Sequence, residues 1–314
     1  MVRVITAVIL AALVLLALFK APIALFSLIV GIVALLCTYE YLALVRAHEL
    51  QPLWTLTFLT VAGTLLNTYM GIKFRTTRMM PPQAHGWRVL LEPIYQYQIV
   101  LAFVSLAPLF ILAWAMRNKN LRLALPSAAA SYIAVPYIAI TLSYLLLMRG
   151  LLPGGALAIF YLLIVVWVGD IFAYYVGRFF GRHKMAPEIS PNKTWEGALA
   201  SLVAGTIAGT LLLMKNAQIS DFANQHGLLQ HPSVLFGMPR PQPNIVWLAI
   251  LATVCVNIAA QAGDLVESMI KRGANVKDSG IIVPGHGGLF DRVDALLLAI
   301  PVLWYYASFG LIHF

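Results

Sequence analysis

Acidic side chains are scarce in this chain, and the largest group of them lies near its C-terminal end. The sequence has twelve Asp and Glu residues among 314, and five of the twelve lie in one short segment: Asp264, Glu267, Asp278, Asp291 and Asp294. The same segment contains four basic residues: Lys271, Arg272, Lys277 and Arg292. Carboxylate oxygens are the ligands that Mg²⁺ prefers, and Lys and Arg bind phosphate groups. The segment is therefore a candidate site for a metal ion, an anionic ligand or both.

Asp264, Glu267 and Lys271 follow one another at i, i+3 and i+7, a spacing that places all three on one face of a helix. A charge inside an apolar segment is costly and marks a functional site by default. The alternative is an ordinary helix end whose charges reach water, which is an equally good interpretation of Glu267 and Lys271. Asp264 follows Gly263 one turn deeper in the apolar run, and its position favours the functional interpretation.

A glycine-rich segment, residues 284–294, follows this helix face. It contains His286, Gly287 and Gly288, and then Asp291 and Asp294. Glycines that lead into a helix form an anion site, because their backbone comes close to the ligand and the helix start carries positive charge. Two carboxylates at that place would repel a phosphate unless a cation lay between them, which suggests carboxylate–Mg²⁺–phosphate contacts. The alternatives are acidic helix caps and a histidine that is a polar turn residue.

A second motif, residues 190–197, precedes an apolar run. Its polar members are Ser190, Asn192, Lys193, Thr194 and Glu196. Hydroxyls, an amide and a lysine at a helix start could hold a phosphate. The spacing taken alone favours a capping sequence with Thr194 as the N-cap. Further upstream, Asp170 lies inside an apolar run about two turns before Arg178, where a polar partner or ligand is expected.

The composition identifies the environment of these residues. Apolar residues make up 61% of the chain and charged residues 11%, whereas soluble proteins have about 25% charged residues. This balance excludes a soluble enzyme, a disordered chain and a nucleic-acid-binding module, although the formal net charge is +9. We expect an all-α polytopic membrane protein that binds no nucleic acid.

Apolar runs of about 20 residues predict about nine transmembrane helices. N-terminal helices would occupy residues 1–150 and a catalytic region residues 151–314. The predicted spans are 4–19, 22–45, 53–71, 94–116, 123–148, 153–176, 195–214, 244–263 and 293–313. Residues 215–243 are predicted to be a polar connecting loop.

The distribution of Lys and Arg predicts the orientation of the chain. Thirteen of them fall on the side that holds the N-terminus and eight on the other, which places the N-terminus and the loops 178–194 and 272–292 in the cytoplasm. The basic loop 72–93 opposes this trend. With this topology Asp264 ends the eighth span and Asp291 begins the ninth on the same face. The two carboxylates together suit one Mg²⁺ ion, unless both are ordinary helix-end residues.

The C-terminal half, about residues 160–301, closely resembles the phosphatidate cytidylyltransferase family. The residues that carry the resemblance are Ser268–Arg272, Lys277 and Asp278, Pro284–Asp294, Asp170–Gly181 and Ser190–Gly197. Family members often have a small residue two positions after the Asp that matches Asp170, where this chain has Phe172. The N-terminal half resembles the family only as a run of spans.

The resemblance implies that CTP and phosphatidate react to give CDP-diacylglycerol and pyrophosphate. It implies Mg²⁺ bound by Asp264 and Asp291, a second cation such as K⁺, a homodimer, and a site at the cytoplasmic face of the inner membrane. Lys193, Lys271 and Arg292 would then be catalytic together with the two metal ligands. The remaining polar residues would bind substrate: Asp170, Ser190, Asn192, Thr194, Glu196, Glu267, Arg272, Lys277, Asp278, His286, Gly287, Gly288 and Asp294.

Three other functions are compatible with parts of this pattern. A CTP-dependent lipid kinase would use the same nucleotide but release CDP. A cytidylyltransferase could act on another phospholipid-like acceptor. A secondary transporter would place its acidic residues at the midplane of paired repeats, whereas here they cluster towards one face and no internal repeat is visible.

Overall fold

The computed structural model describes residues 2–76, 99–118, 120–152, 154–229, 243–282 and 287–310. Most of these residues are helical. In chain order the helices are α1 (Val2–Lys20), α2 (Ile23–Ala47), α3 (Trp54–Thr76), α4 (Ile99–Ala115), α5 (Leu121–Ala134), a π-helical segment (Val135–Ile140), α6 (Thr141–Leu151), α7 (Gly155–Phe180), α8 (Trp195–Met214), α9 (Asn216–Gln225), α10 (Pro243–Gly273) and α11 (Phe290–Gly310).

The helices confirm the all-α class, and each of the nine predicted spans overlaps a helix, or for 123–148 two α-helices joined by a π-helical segment. Among the described residues, five helical segments are long and apolar enough to cross a membrane: Ile23–Ala47, Leu121–Leu151, Gly155–Phe180, Trp195–Met214 and Ile250–Gly273. The chain is therefore a membrane protein. Nine crossings stay a prediction, and residues 215–243, predicted to be a loop, in fact include α9.

The chain forms two compact units. One comprises Ile23–Gly150, and the other comprises Met1–Pro22 together with Leu151–Phe314. In the first unit, hydroxyl groups of α5 bind the segment that precedes α3: Ser127 Oγ accepts from the amide of Gln51 and Ser131 Oγ from that of Leu53, each at 2.9 Å. The π-helical segment begins beside Pro136, which has no amide hydrogen to continue an α-helical ladder.

In the second unit, α7 and α8 pack closely through glycines. A Cβ atom at Gly197 would lie 2.8 Å from the carbonyl oxygen of Ala173, and one at Gly205 would lie 3.1 Å from that of Val165. Small residues let two membrane helices approach in this way. The same face of α8 is joined to α10 by Asn257, whose amide donates to the carbonyl oxygen of Ser201 at 3.3 Å.

A short hairpin was not predicted from the sequence. It pairs β1 (Lys184–Ala186) with β2 (Ser190–Thr194) in antiparallel register, with Lys184 opposite Thr194 and Ala186 opposite Ser190. The hairpin connects the end of α7 to the start of α8, and it holds the 190–194 motif in an extended conformation next to the end of α10.

Candidate active site

Helices α10 and α11 cross closely where the acidic residues lie. A Cβ atom at Gly263 would lie 2.5 Å from the carbonyl oxygen of Asp294 and 3.3 Å from the Cα of Ala295. Glycine is needed at this position because any side chain would separate the two backbones. The crossing brings Asp264, the residue after Gly263, to the first turns of α11.

Lys271 links α10 to the start of α11 through two carboxylates. Its Nζ lies 2.5 Å from Glu267 Oε2 and 2.6 Å from Asp291 Oδ1. The three side chains are largely shielded, with 12% of Lys271, 6% of Asp291 and none of Glu267 exposed. We call these three residues the Lys271 cluster. One ammonium group here compensates two buried carboxyl groups.

Asp291 also fixes the loop in front of α11. Its Oδ2 accepts hydrogen bonds from the amides of Gly288, at 2.8 Å, and Ser279, at 3.0 Å. Burial acts to raise the pKa of the Asp291 carboxyl, but its hydrogen bonds with Glu267, Lys271 and the two amides outweigh burial and lower the pKa to about 2. The side chain is therefore a carboxylate at physiological pH.

The backbone conformation at position 287 requires a glycine. Its φ is +81°, a region that side-chain-bearing residues rarely adopt. A Cβ atom there would also lie 2.8 Å from Asp291 Oδ2 and 3.3 Å from the Cβ of Asp278. The glycine-rich segment thus brings Asp278 and Asp291 close together, while His286 lies outside the described residues.

A second charged group, which we call the Lys193 cluster, lies between β2 and α10. Lys193 Nζ is 2.7 Å from Asp264 Oδ2, with 24% of the lysine and 39% of the aspartate exposed. Asp264 Oδ1 accepts a weaker hydrogen bond from Ser268 at 3.4 Å. Asp170 and Asp294 both interact electrostatically with Asp264, and Asp170 also interacts with Lys193. The carboxyl groups of Asp170 and Asp264 therefore both lie near Lys193, whereas Asp294 lies near Asp264 and Lys271.

The start of α8 combines a helix cap with a contact between a carboxylate and an imidazole. Thr194 is the N-cap, and its Oγ1 accepts from the amide of Gly197 at 3.2 Å, which confirms the capping role that spacing favours. Glu196 Oε1 lies 2.6 Å from Nδ1 of His183. His183 was not singled out from the sequence, because it lies thirteen residues from Glu196 and meets it only through the hairpin.

The other predicted residues lie on the hairpin, at the end of α10 and at the start of α11. Arg272 donates from Nε to the carbonyl oxygen of Ile189 and from Nη1 to that of Val276, at 3.3 and 3.1 Å, so it ties the end of α10 to the hairpin. Ser190 is half-buried. The side chains of Asn192, Lys277, Asp278 and Arg292 are exposed.

The chemistry of these donors suits Mg²⁺. Within the described residues, His, Cys, Asp and Glu side chains form no group of three or more that could hold a metal ion. Mg²⁺ commonly takes one or two carboxylates and completes its shell with water and substrate phosphate. Asp264 and Asp291 could supply the two carboxylates. Both carboxylates are paired with lysines, so cations already occupy the positions next to them.

Comparison with known proteins gives a consistent result. The model of the cytidylyltransferase family matches residues 1–309. A phosphatidate cytidylyltransferase of Haemophilus influenzae is 32% identical over 313 residues, covering 98% of this chain and 99% of the relative. One from Staphylococcus saprophyticus is 31% identical over 274 residues, or 87% and 89% of the two chains. One from Bacillus subtilis is 38% identical over 173 residues, or 55% of each.

Proposed function

The chain belongs to the cytidylyltransferase family, and from this premise we propose that it transfers the cytidylyl group of CTP to phosphatidate. The products are CDP-diacylglycerol and pyrophosphate. The observation that carries the proposal is the pair of lysine–carboxylate clusters at the end of α10, where cationic and anionic groups alternate beside membrane-spanning helices. Its relatives in Staphylococcus saprophyticus and Haemophilus influenzae are phosphatidate cytidylyltransferases, which supports the same acceptor.

The reaction balances without a protein nucleophile. An oxygen of the phosphatidate phosphate attacks the α-phosphorus of CTP, a new P–O bond forms, and the bond from the α-phosphorus to the bridging oxygen of the β-phosphate breaks. Pyrophosphate leaves with that electron pair. The attacking oxygen is already ionised, so the protein supplies alignment and charge neutralisation. Lys193, Lys271 and Arg292 are the cations that would bind the phosphate oxygens.

A divalent cation fits this arrangement, and we assign Mg²⁺ to Asp264 and Asp291, with a second cation such as K⁺ nearby. When bound, Mg²⁺ reduces the repulsion between the two phosphate anions. The ammonium groups of Lys193 and Lys271 now lie against the two carboxylates. In the loaded enzyme each would turn towards a substrate phosphate while the carboxylates hold the metal.

The products of the reaction test the proposal. Purified protein should transfer label from [α-³²P]CTP to phosphatidate and release one pyrophosphate per labelled lipid, and it should not label diacylglycerol. Release of CDP, with label from [γ-³²P]CTP in the lipid, would show that the protein is a lipid kinase instead. A panel of other phosphorylated lipids would identify a different acceptor.

We further propose that the chain crosses the inner membrane several times as a homodimer, with its N-terminus and both clusters on the cytoplasmic side. Cysteines at Lys184 and Lys277, which are exposed in the two relevant loops, should react with an impermeant maleimide in inverted vesicles but not in intact cells. The background is Cys255→Ser, since Cys255 is exposed and Cys37 is buried. Labelling of either position in intact cells would show that the loop faces the outside and that the proposed orientation is wrong.

A further inference from the structure

An apolar groove of about 430 Å³ runs between α8 and α10. The wall from α8 is formed by Trp195, Ala198, Leu199 and Leu202, and the wall from α10 includes Ala262 and Leu265. The α8 residues follow the i, i+3, i+4, i+7 pattern, which gives a continuous stripe along one side of a helix. The volume lies within the ~300–1,000 Å³ that is usual for ligand pockets.

The packing of α8 explains why the described residues leave this stripe open. The glycine face of α8, at Gly197, Gly205 and Gly209, is taken up by close contacts with neighbouring helices. The groove side stays open, with 58% of Trp195 and 62% of Leu199 exposed. Because α8 and α10 are both long and apolar enough to cross a membrane, an occupant of this groove must be compatible with hydrocarbon.

One end of the groove meets the Lys193 cluster. Leu265 follows Asp264 directly in the chain, and Trp195 lies two residues after Lys193. The ion pair between Lys193 and Asp264 therefore lies near this end of the groove. An anionic head group beside Lys193, followed by a hydrocarbon tail between α8 and α10, matches this order of charge and apolar surface.

We propose that the groove holds the head-group-proximal part of one acyl chain of the lipid substrate, and so acts as its acyl-chain subsite. The inference rests on the proposed function and adds where the lipid lies. The stripe on α8 from Trp195 to Leu202 extends ~10 Å along the helix axis, at 1.5 Å per residue, so it contacts the upper part of a chain and leaves the rest in the bilayer.

The groove contributes alignment more than affinity. An acyl chain that leaves the bilayer for the groove exchanges one apolar environment for another, so packing rather than the hydrophobic effect decides the fit. Holding the chain fixes the direction of the lipid phosphate relative to Lys193, which favours the reactive geometry. A change of groove shape should therefore alter discrimination between lipids while leaving the use of CTP unchanged.

Filling the groove tests this assignment. In Ala262→Phe the ratio of kcat/KM for dioleoyl phosphatidate to kcat/KM for the dibutanoyl analogue should fall about tenfold, the lower end of what a misfitting apolar group costs in a pocket. The KM for CTP should not change. Ile207→Phe is the matched control, because Ile207 is an exposed apolar residue of α8 outside the groove. An unchanged ratio in Ala262→Phe would overturn the inference, including when both rates fall together.

Alkylation after folding removes any doubt about folding of the variant. Leu199→Cys and Ile207→Cys are each made in the Cys255→Ser background, purified and treated with N-ethylmaleimide. Both positions are accessible to the reagent, because the side chain of Leu199 is 62% exposed and that of Ile207 is 55% exposed. Modification at 199 should lower the same ratio and modification at 207 should not. Equal effects at the two positions would contradict the subsite.

A binding measurement separates this inference from the proposed function. Phosphatidate that carries a diazirine near the carboxyl end of one acyl chain should cross-link to the groove stripe, at Leu199 or Leu202, in preference to Ile207 or Leu211. Cross-links in the groove without any cytidylyl transfer would refute the function and keep the subsite. Full transfer with cross-links spread evenly over α8 would refute the subsite alone.

Discussion

Asp264→Asn and Asp291→Asn are each expected to lower cytidylyl transfer by at least about 100-fold, the scale seen when one electrostatic contact to a transition state is removed. Asparagine has the size of aspartate and caps a helix about equally well, but it lacks the charge that a metal ligand or a lysine partner requires. At Asp291 the amide oxygen of asparagine can still accept from the amides of Gly288 and Ser279. A residue that acts only as a cap would therefore tolerate the change.

The rates should be measured against Mg²⁺ concentration, with thermal unfolding in detergent recorded for the same samples. If the two carboxylates hold the metal, the residual activity of each variant should need more Mg²⁺ for half-saturation, and chelation with EDTA should abolish wild-type turnover. Asp221→Asn is the matched control, since Asp221 is an exposed residue of α9 that belongs to neither cluster. Near-wild-type activity with an unchanged Mg²⁺ requirement in either variant would remove that residue from the metal site.

The sequence predicts the helices well because their cause is local. An apolar run of about 20 residues is read directly from the chain, and α2, α7 and α8 follow the predicted spans to within four residues at each end, whereas α10 continues ten residues beyond its predicted end at residue 263. The common helix face of Asp264, Glu267 and Lys271 is local in the same way. The hairpin and α9 are short, polar elements that carry no such signal, so neither was predicted from the sequence.

The partners of the charged residues could not be predicted, because they depend on how helices cross. Sequence spacing treats Lys193, Lys271 and Arg292 alike, as cations near acidic residues. The structure distinguishes them: Lys193 reaches Asp264 from the hairpin, Lys271 joins two buried carboxyl groups, and Arg292 is exposed. The joint use of Asp264 and Asp291 by one metal ion stays a prediction, because each carboxylate has its own lysine partner.

The difference between the two lysines leads to a contrasting pair of expected results. Lys271→Gln leaves Glu267 and Asp291 buried without their ammonium group, and removal of one partner from a buried ion pair typically costs ~3–5 kcal/mol. Lys193→Gln breaks a pair that is partly open to solvent, and exposed pairs contribute about 0–1 kcal/mol. We expect Lys271→Gln to lower the melting temperature in detergent clearly and Lys193→Gln to change it little, while both variants lose most of their cytidylyl transfer.

A double variant separates the structural role of Lys271 from its role towards substrate. Lys271→Gln combined with Glu267→Gln replaces the carboxyl group that Lys271 contacts with a neutral amide of the same size, which can donate a hydrogen bond to Asp291, so it should recover much of the lost melting temperature. Transfer activity should stay low, because no cation remains at that position to bind a phosphate. Recovery of activity together with stability would mean that Lys271 acts only by holding α10 to α11. An unchanged melting temperature in Lys271→Gln itself would mean that the buried carboxyl groups do not depend on it, and the charge assignment of the Lys271 cluster would be wrong.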